Sequence, residues 1–133
     1  MSQKNILEKI DDTFLETKIS KVDDEDVEKV LKNEQSILQK IKTNPLFRKY
    51  RNLAYAMLQM VKDTKNGIYK QTPWFTIATI VVVLLYILNP LDLIPDFVPG
   101  LGYLDDASVF ALALKWISKD IDAYLDWKLE DSE

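Results

Sequence analysis

The sequence predicts an all-α protein of about five helices, with an apolar C-terminal helical hairpin joined by a turn rich in proline and aspartate. Three observations support this fold class. Only three glycines occur in 133 residues, a profile that favours helices over a β-sandwich or barrel. Apolar residues recur at helical spacing in several segments, and prolines stand where helices would begin or end.

Residues 1–44 are predicted to form a charged, helical N-terminal extension. Its first helix runs from about Lys4 to Lys18. Its second runs from about Asp24 to Lys42, and acids crowd the first turn, where the helix dipole favours negative charge. A narrow apolar seam marks one face of this second helix, formed by Val27, Val30, Leu31, Ile37, Leu38 and Ile41. Such a seam suits packing within the chain, or a partner helix from another protein or a second copy.

Residues 45–133 are predicted to form a second unit, a helical domain that contains the apolar hairpin 73–118. Asn44 and Pro45 have the residue types of an N-cap followed by proline at the first helical position. The helix that begins there continues to about Lys65, and Asn66-Gly67 predicts its left-handed stop.

A run of fifteen residues without a charge, Trp74–Leu88, follows Pro73 and ends at Asn89-Pro90. A helix with this composition has no polar face, so either protein or lipid has to surround it. Dense prolines then prevent a continuing helix, and the last helix begins near Leu104.

The length of the apolar run leaves both surroundings open. A membrane-spanning helix needs about 20 apolar residues, and the uncharged window from Gln71 to Leu91 reaches that length. The second hairpin helix is short, because only eight uncharged residues separate Asp106 from Lys115. A shallow or re-entrant hairpin therefore fits a membrane better than two full crossings. The alternative is a soluble bundle that encloses Trp74–Leu88.

The charge distribution predicts an orientation in the membrane. Residues 44–70 carry six basic groups and one acid, whereas residues 71–114 carry four acids and no lysine or arginine. Lys115 and Lys119 then follow on the far side of the hairpin. Under the positive-inside rule this pattern places both termini in the cytoplasm. The opening MSQKNILEKIDD, which lacks the apolar core of a signal peptide, agrees with that expectation.

Composition excludes several classes of chemistry. The chain has no cysteine and no histidine, so Ser-His-Asp and Cys-His nucleophile systems and zinc–thiolate sites cannot form within it. It also lacks a GxxxxGK[ST] loop and a GxGxxG motif, the usual phosphate-binding sequences. We therefore predict no catalytic residue, cofactor or small-molecule substrate. The net charge of −4 argues against nucleic acid as a partner.

Four carboxylates lie in or beside the connection NPLDLIPDFVPGLG, namely Asp92, Asp96, Asp105 and Asp106. The common role of aspartate at such positions is capping, in which the side chain accepts backbone N–H bonds in turns and at helix starts. Ca²⁺ or Mg²⁺ is the sharper alternative, because both cations prefer oxygen ligands. A third alternative is a counter-charge for Lys115 or for a basic residue of a partner. The spacing matches no EF-hand loop, so these four are weak metal candidates and no metal is predicted.

The stretch LLYILNPLDLIPDFVPGLGYLDDASVFALAL closely resembles the YkvA-like family, a domain of unknown function. The family hallmark is a hydrophobic helix, a [S/N]P-x-DLIPD-x-[I/V]P turn, and G-x-x-DD opening a second apolar helix. The matching positions are Asn89, Pro90, Asp92, Leu93, Ile94, Pro95, Asp96, Pro99, Gly102, Asp105 and Asp106. The resemblance covers roughly residues 50–128. It implies a small bacterial membrane protein and carries over no activity or catalytic residue.

The leading hypothesis for function is a membrane-associated, non-enzymatic interaction or scaffold module, anchored by the hairpin 73–118. Its N-terminal helices would meet a protein partner or a second copy. A soluble all-α domain that self-associates through Trp74–Leu88 is the alternative. A divalent-cation-binding protein that uses the turn carboxylates ranks third.

Overall fold

The computed structural model describes Thr13 and residues 15–48, 50–88 and 106–131. Every regular element within these residues is a helix, so the all-α prediction is confirmed. Residues 15–20 are helical. They are followed by α1 (Asp24–Lys32), α2 (Glu34–Thr43), α3 (Pro45–Arg48), α4 (Arg51–Lys65), α5 (Trp74–Leu88) and α6 (Asp106–Asp131).

The start of α1 forms because Asp23 caps it. The Asp23 carboxylate accepts a hydrogen bond from the backbone N–H of Asp26 at 3.1 Å, and the Asp26 carboxylate accepts one from the N–H of Asp23 at 3.1 Å. This reciprocal capping box satisfies two N–H groups that a helix start leaves unpaired. Asp24 and Glu25 add negative charge in the first turn, as predicted.

The structure divides the predicted helix 24–42 at Asn33, which separates α1 from α2. The Asn33 side chain donates to the carbonyl of Lys29 at 2.7 Å, and its backbone lies at φ −105° and ψ 21°. Asparagine competes with the helical ladder by bonding nearby backbone, and that competition ends α1 here. Val30 and Ile37, on either side of the break, are both fully buried. The seam of this segment therefore packs within the chain.

The predicted helix 45–65 is also divided, into α3 and α4. Tyr50 lies between them at φ −104° and ψ 16°, and its half-buried side chain packs against the hydrophobic core. Helical propensity is weak enough for such packing to override it.

The end of α4 has the geometry expected from Asn66-Gly67. Gly67 has a positive φ of 75°, a backbone conformation that only glycine adopts at little cost. Its N–H bonds the carbonyl of Thr64 at 3.2 Å, and the N–H of Ile68 bonds that of Asp63 at 2.9 Å. These two bonds form a Schellman motif, so the predicted stop is confirmed.

Helix α5 occupies the centre of the described structure. It has the predicted bounds, Trp74–Leu88, and contacts α1, α2, α4 and α6. Most of its side chains are buried, including Val81 (0% exposed), Val82 (6%), Val83 (3%) and Leu84 (0%). Because consecutive helical residues point about 100° apart, these four cover the whole circumference. The apolar helix is therefore surrounded by helices of its own chain.

Helix α6 packs along α5, and the hydroxyl of Thr76 donates to the carboxylate of Asp120. The turn that would complete the predicted hairpin lies outside the described residues. Within the ranges that the structure describes, none of the helices has both the length and the apolarity that crossing a membrane requires. The division of the chain at residue 44 stays a prediction.

Candidate functional site

The predicted signature turn lies almost wholly outside the described residues. This applies to Asn89, Pro90, Asp92, Leu93, Ile94, Pro95, Asp96, Pro99, Gly102 and Asp105. Asp106 is the first residue of α6, which agrees with an acid in the first helical turn. The side chains of all four carboxylates considered for a cation site therefore lie outside what the structure describes. Across the described ranges, no group of three or more acidic side chains is placed to hold a metal ion.

A buried carboxylate, Asp63, joins α4 to α6 in the described structure. It is 4% exposed and accepts three side-chain hydrogen bonds. The Tyr124 hydroxyl donates at 2.6 Å, the Lys128 ammonium at 3.0 Å and the Gln59 amide at 3.1 Å. Burial of an ionised carboxylate is costly unless charge and hydrogen bonds compensate it, and these three donors supply that compensation.

The pKa values of the two titratable groups at the centre of this cluster, Asp63 and Tyr124, shift in opposite directions. Burial acts to raise the pKa of Asp63. The hydrogen bonds from Tyr124, Lys128 and Gln59 and the charge of Lys128 outweigh it, so the pKa lies below its ordinary 3.8. Burial, followed by the bond to Asp63, raises the pKa of Tyr124 above its ordinary 10. Near neutral pH the carboxylate is therefore ionised and the hydroxyl protonated.

This arrangement is suited to holding two helices together and does not provide a group poised for proton transfer near pH 7. Aromatic rings cover it. The Tyr69 ring meets that of Tyr124 edge-on at 5.1 Å between centroids, and the Trp127 ring lies 4.9 Å from that of Tyr69. The sequence does not indicate this cluster, because Asp63 is there only the single acid of the basic segment 44–70.

The two threonine hydroxyls of α5 are hydrogen-bonded, one within the helix and one to α6. The hydroxyl of Thr79 donates to the carbonyl of Phe75 at 2.7 Å, and that of Thr76 bonds Asp120. Thr76 and Thr79 are therefore already hydrogen-bonded and are not available to a ligand.

Five large apolar side chains are exposed around the start of α5: Ile68 (58%), Trp74 (50%), Phe75 (45%), Leu125 (40%) and Leu129 (67%). We call this set the apolar end. Trp74 and Phe75 open α5, and Ile68 lies in the connection that precedes it. Leu125 and Leu129 flank Trp127, whose ring packs against Tyr69 of the same connection. The set therefore belongs to the start of α5, the connection before it and the part of α6 that packs against this connection.

The aromatic residues near the two ends of α5 differ in exposure. Trp74 is half-exposed, whereas Tyr86 is only 3% exposed and lies in the core. In this structure they do not form the pair of lipid-facing aromatic belts that a membrane-spanning helix would carry.

Comparison with known proteins gives the family. The family described as "Protein of unknown function (DUF1232)" matches residues 76–112, which include most of α5 and the start of α6. The chain is 40% identical over 72 residues to the Uncharacterized membrane protein YkvA of Bacillus subtilis (strain 168), a match covering 54% of this chain and 68% of that protein. No solved structure matches the chain. The expected resemblance is confirmed, and the chain belongs to the DUF1232, or YkvA-like, family of proteins of unknown function.

Proposed function

We propose that this chain is a membrane-associated, non-enzymatic helical module that attaches to the bilayer surface through its apolar end. The observation that carries the proposal is the exposure of Trp74 and Phe75 at the start of a helix that is otherwise enclosed. Exposed clusters of large apolar residues mark interaction surfaces. Tryptophan in particular favours the interfacial region of a bilayer.

The structure favours attachment at the surface over insertion of the whole hairpin. A bilayer cannot surround α5 while α1, α2, α4 and α6 pack against it. Its first turn is accessible, and this turn is one end of the predicted hairpin 73–118. The anchoring role that the sequence assigns to the hairpin is therefore best supported at that end.

Basic residues near the apolar end complement the negative charge of the lipids in the cytoplasmic leaflet of a membrane. Lys70 is exposed in the connection between α4 and α5, and Lys119 is exposed on α6. Each lysine near an anionic surface contributes about 1 kcal/mol to attachment. The relative from Bacillus subtilis is named a membrane protein, which supports the same partner. Attachment to the cytoplasmic leaflet would keep both termini in the cytoplasm.

The N-terminal helices α1 and α2 would provide the scaffold role. Val27, Val30, Ile37 and Ile41 are buried in the core of a single chain. A protein partner or second copy would therefore contact the charged outer faces of α1 and α2. Self-association through Trp74–Leu88 has less support, because that helix is already enclosed by its own chain. The absence of histidine and cysteine from the sequence supports a non-enzymatic role.

Vesicle flotation of the full chain without detergent tests the proposal. Vesicles of phosphatidylglycerol mixed with phosphatidylcholine should carry the wild type upward in a density gradient. Trp74→Ala combined with Phe75→Ala should leave most of the protein at the bottom. Gln35→Ala combined with Gln39→Ala, at exposed positions of α2, is the matched control and should float like the wild type. Equal flotation of the aromatic variant, or no flotation of the wild type, would refute the proposal.

A further inference from the structure

A groove separate from the apolar end runs beside the carboxyl-terminal half of α5. It lies where residues 18–22, α1 and α2 face α5, and its volume is about 650 Å³. Sites for small molecules in proteins are typically about 300–1,000 Å³. The apolar end includes the start of α5, so the two features lie toward opposite ends of the same helix.

The outer wall of the groove is basic. Lys18, Lys21, Lys29 and Lys40 line it, together with one acid, Asp26. The four lysines come from three separate parts of the chain and converge only in the folded structure. The Asp26 carboxylate accepts the N–H of Asp23 in the capping box. Within a chain whose net charge is −4, this wall is a local concentration of positive charge that attracts an anion.

The inner wall of the groove is apolar and belongs to α5. Val82, Leu85, Tyr86 and Leu88 form it, and Leu85 and Leu88 are half-buried. The ammonium of Lys40 donates to the carbonyl of Leu88 at the last turn of α5. This bond places a cation beside the apolar wall, so a ligand in the groove would meet both surfaces at once.

We propose that this groove binds a single-chain anionic lipid. The carboxylate or phosphate headgroup would lie against Lys21 and Lys29, and the alkyl chain would lie along Val82, Leu85 and Leu88. Two surfaces of different character argue for an amphiphile. A small inorganic anion would use only the lysines, and a neutral apolar molecule would use only the wall of α5. Lys21 and Lys29 are exposed, and within the described part of the chain no ion pair occupies either of them.

The proposal does not rest on attachment to a bilayer, because it concerns one lipid molecule bound in solution. Isothermal titration calorimetry of the full chain with oleate, below the concentration at which oleate aggregates, provides the test. Saturable binding of about one oleate per chain is the expected result. Oleyl alcohol has the same alkyl chain without the charge, and inorganic phosphate has the charge without the alkyl chain. Both should bind at least tenfold more weakly than oleate.

Matched lysine variants locate the site. Lys21→Gln combined with Lys29→Gln should weaken oleate binding about five- to tenfold, since each exposed charge pair contributes modestly. Lys32→Gln combined with Lys42→Gln removes the same charge from exposed positions of α1 and α2 outside the groove. This control should stay within about twofold of the wild type.

A second variant, Leu85→Trp, tests the apolar wall by filling the groove and should reduce binding further. Several outcomes would overturn the proposal. They are no saturable binding of oleate, equal binding of oleyl alcohol or phosphate, and equal weakening by the two lysine pairs.

Discussion

Replacing the buried carboxylate by its neutral isostere, Asp63→Asn, should destabilise the fold through loss of charge rather than loss of shape. Tyr124 and Lys128 both donate to the same oxygen, Oδ2, whereas the Gln59 amide donates to Oδ1. An asparagine oriented with its carbonyl toward Tyr124 keeps the first two bonds. Its amide nitrogen then faces the Gln59 amide, a donor against a donor.

The expected loss in the free energy of unfolding follows from the two retained hydrogen bonds. A hydrogen bond to a charged group is worth about 1.5–3 kcal/mol, and one between neutral groups about 0.5–1.5 kcal/mol. Each bond therefore weakens by about 1 kcal/mol, and the free energy of unfolding should fall by about 2 kcal/mol. The side chain of Lys128 is 48% exposed, so solvent screening keeps its share below that of the buried Tyr124 bond.

Urea unfolding followed by circular dichroism measures this difference. Asp122→Asn is the control, because Asp122 is an exposed acid on α6, and it should change stability by less than about 0.5 kcal/mol. If Asp63→Asn matches the wild type within the same margin, the cluster does not hold α4 and α6 together as argued.

The stability difference between the wild type and Asp63→Asn should depend on pH in a definite direction. The pKa of Asp63 is lowered in the folded chain, so its ionised form stabilises the fold above the unfolded value of 3.8. That stabilisation is lost as pH falls through the folded pKa. The stability difference between wild type and Asp63→Asn should therefore be constant above about pH 5 and shrink below about pH 4. A difference that grows on acidification would contradict the lowered pKa.

Three further substitutions, one of them paired with a surface control, probe the core and two helix ends by urea unfolding. Leu84→Ala should lower the free energy of unfolding by about 3 kcal/mol, because Leu84 is fully buried. The control Leu129→Ala, at a 67% exposed position, should lower it by less than about 0.5 kcal/mol. Equal losses would mean that α5 is not enclosed. Gly67→Ala should cost about 1 kcal/mol from its positive φ alone, since nothing lies within 4 Å of an added Cβ; no cost would exclude the left-handed stop. Asp23→Ala should cost about 1 kcal/mol by removing the capping box, and a neutral result would show that the cap is not formed in solution.

The sequence predicts helix α5 most completely. Its bounds, Trp74–Leu88, follow from Pro73 before it and Asn89-Pro90 after it, and its lack of charge requires enclosure. The acidic first turn of α1 and the stop at Gly67 are equally local, since each depends on residues within a few positions. Such features can be predicted because the interacting groups are neighbours in the chain.

Other features depend on contacts between distant residues and could not be predicted. Asp63 and Tyr124 are 61 residues apart, so no local pattern indicates their bond. The apolar seam 27–41 fits one continuous helix, and only the structure shows the break at Asn33. The groove lysines contribute to a mixed charged surface in the sequence and converge only when α1 and α2 fold against α5. The sequence also leaves the surroundings of α5 open, because lipid and protein both require an apolar helix surface.

Thiol labelling of α5 tests whether helices of the same chain enclose it outside the groove that Val82, Leu85, Tyr86 and Leu88 line. The sequence has no cysteine, so Ile80→Cys, Val81→Cys, Val83→Cys and Leu84→Cys each introduce a single thiol at a buried position of the helix outside the groove. In the full chain without detergent, all four should react with a water-soluble maleimide at least about tenfold more slowly than Gln35→Cys, because buried positions react only after local opening. Rapid labelling at any one of the four would show that one side of α5 is open to water and would contradict the account.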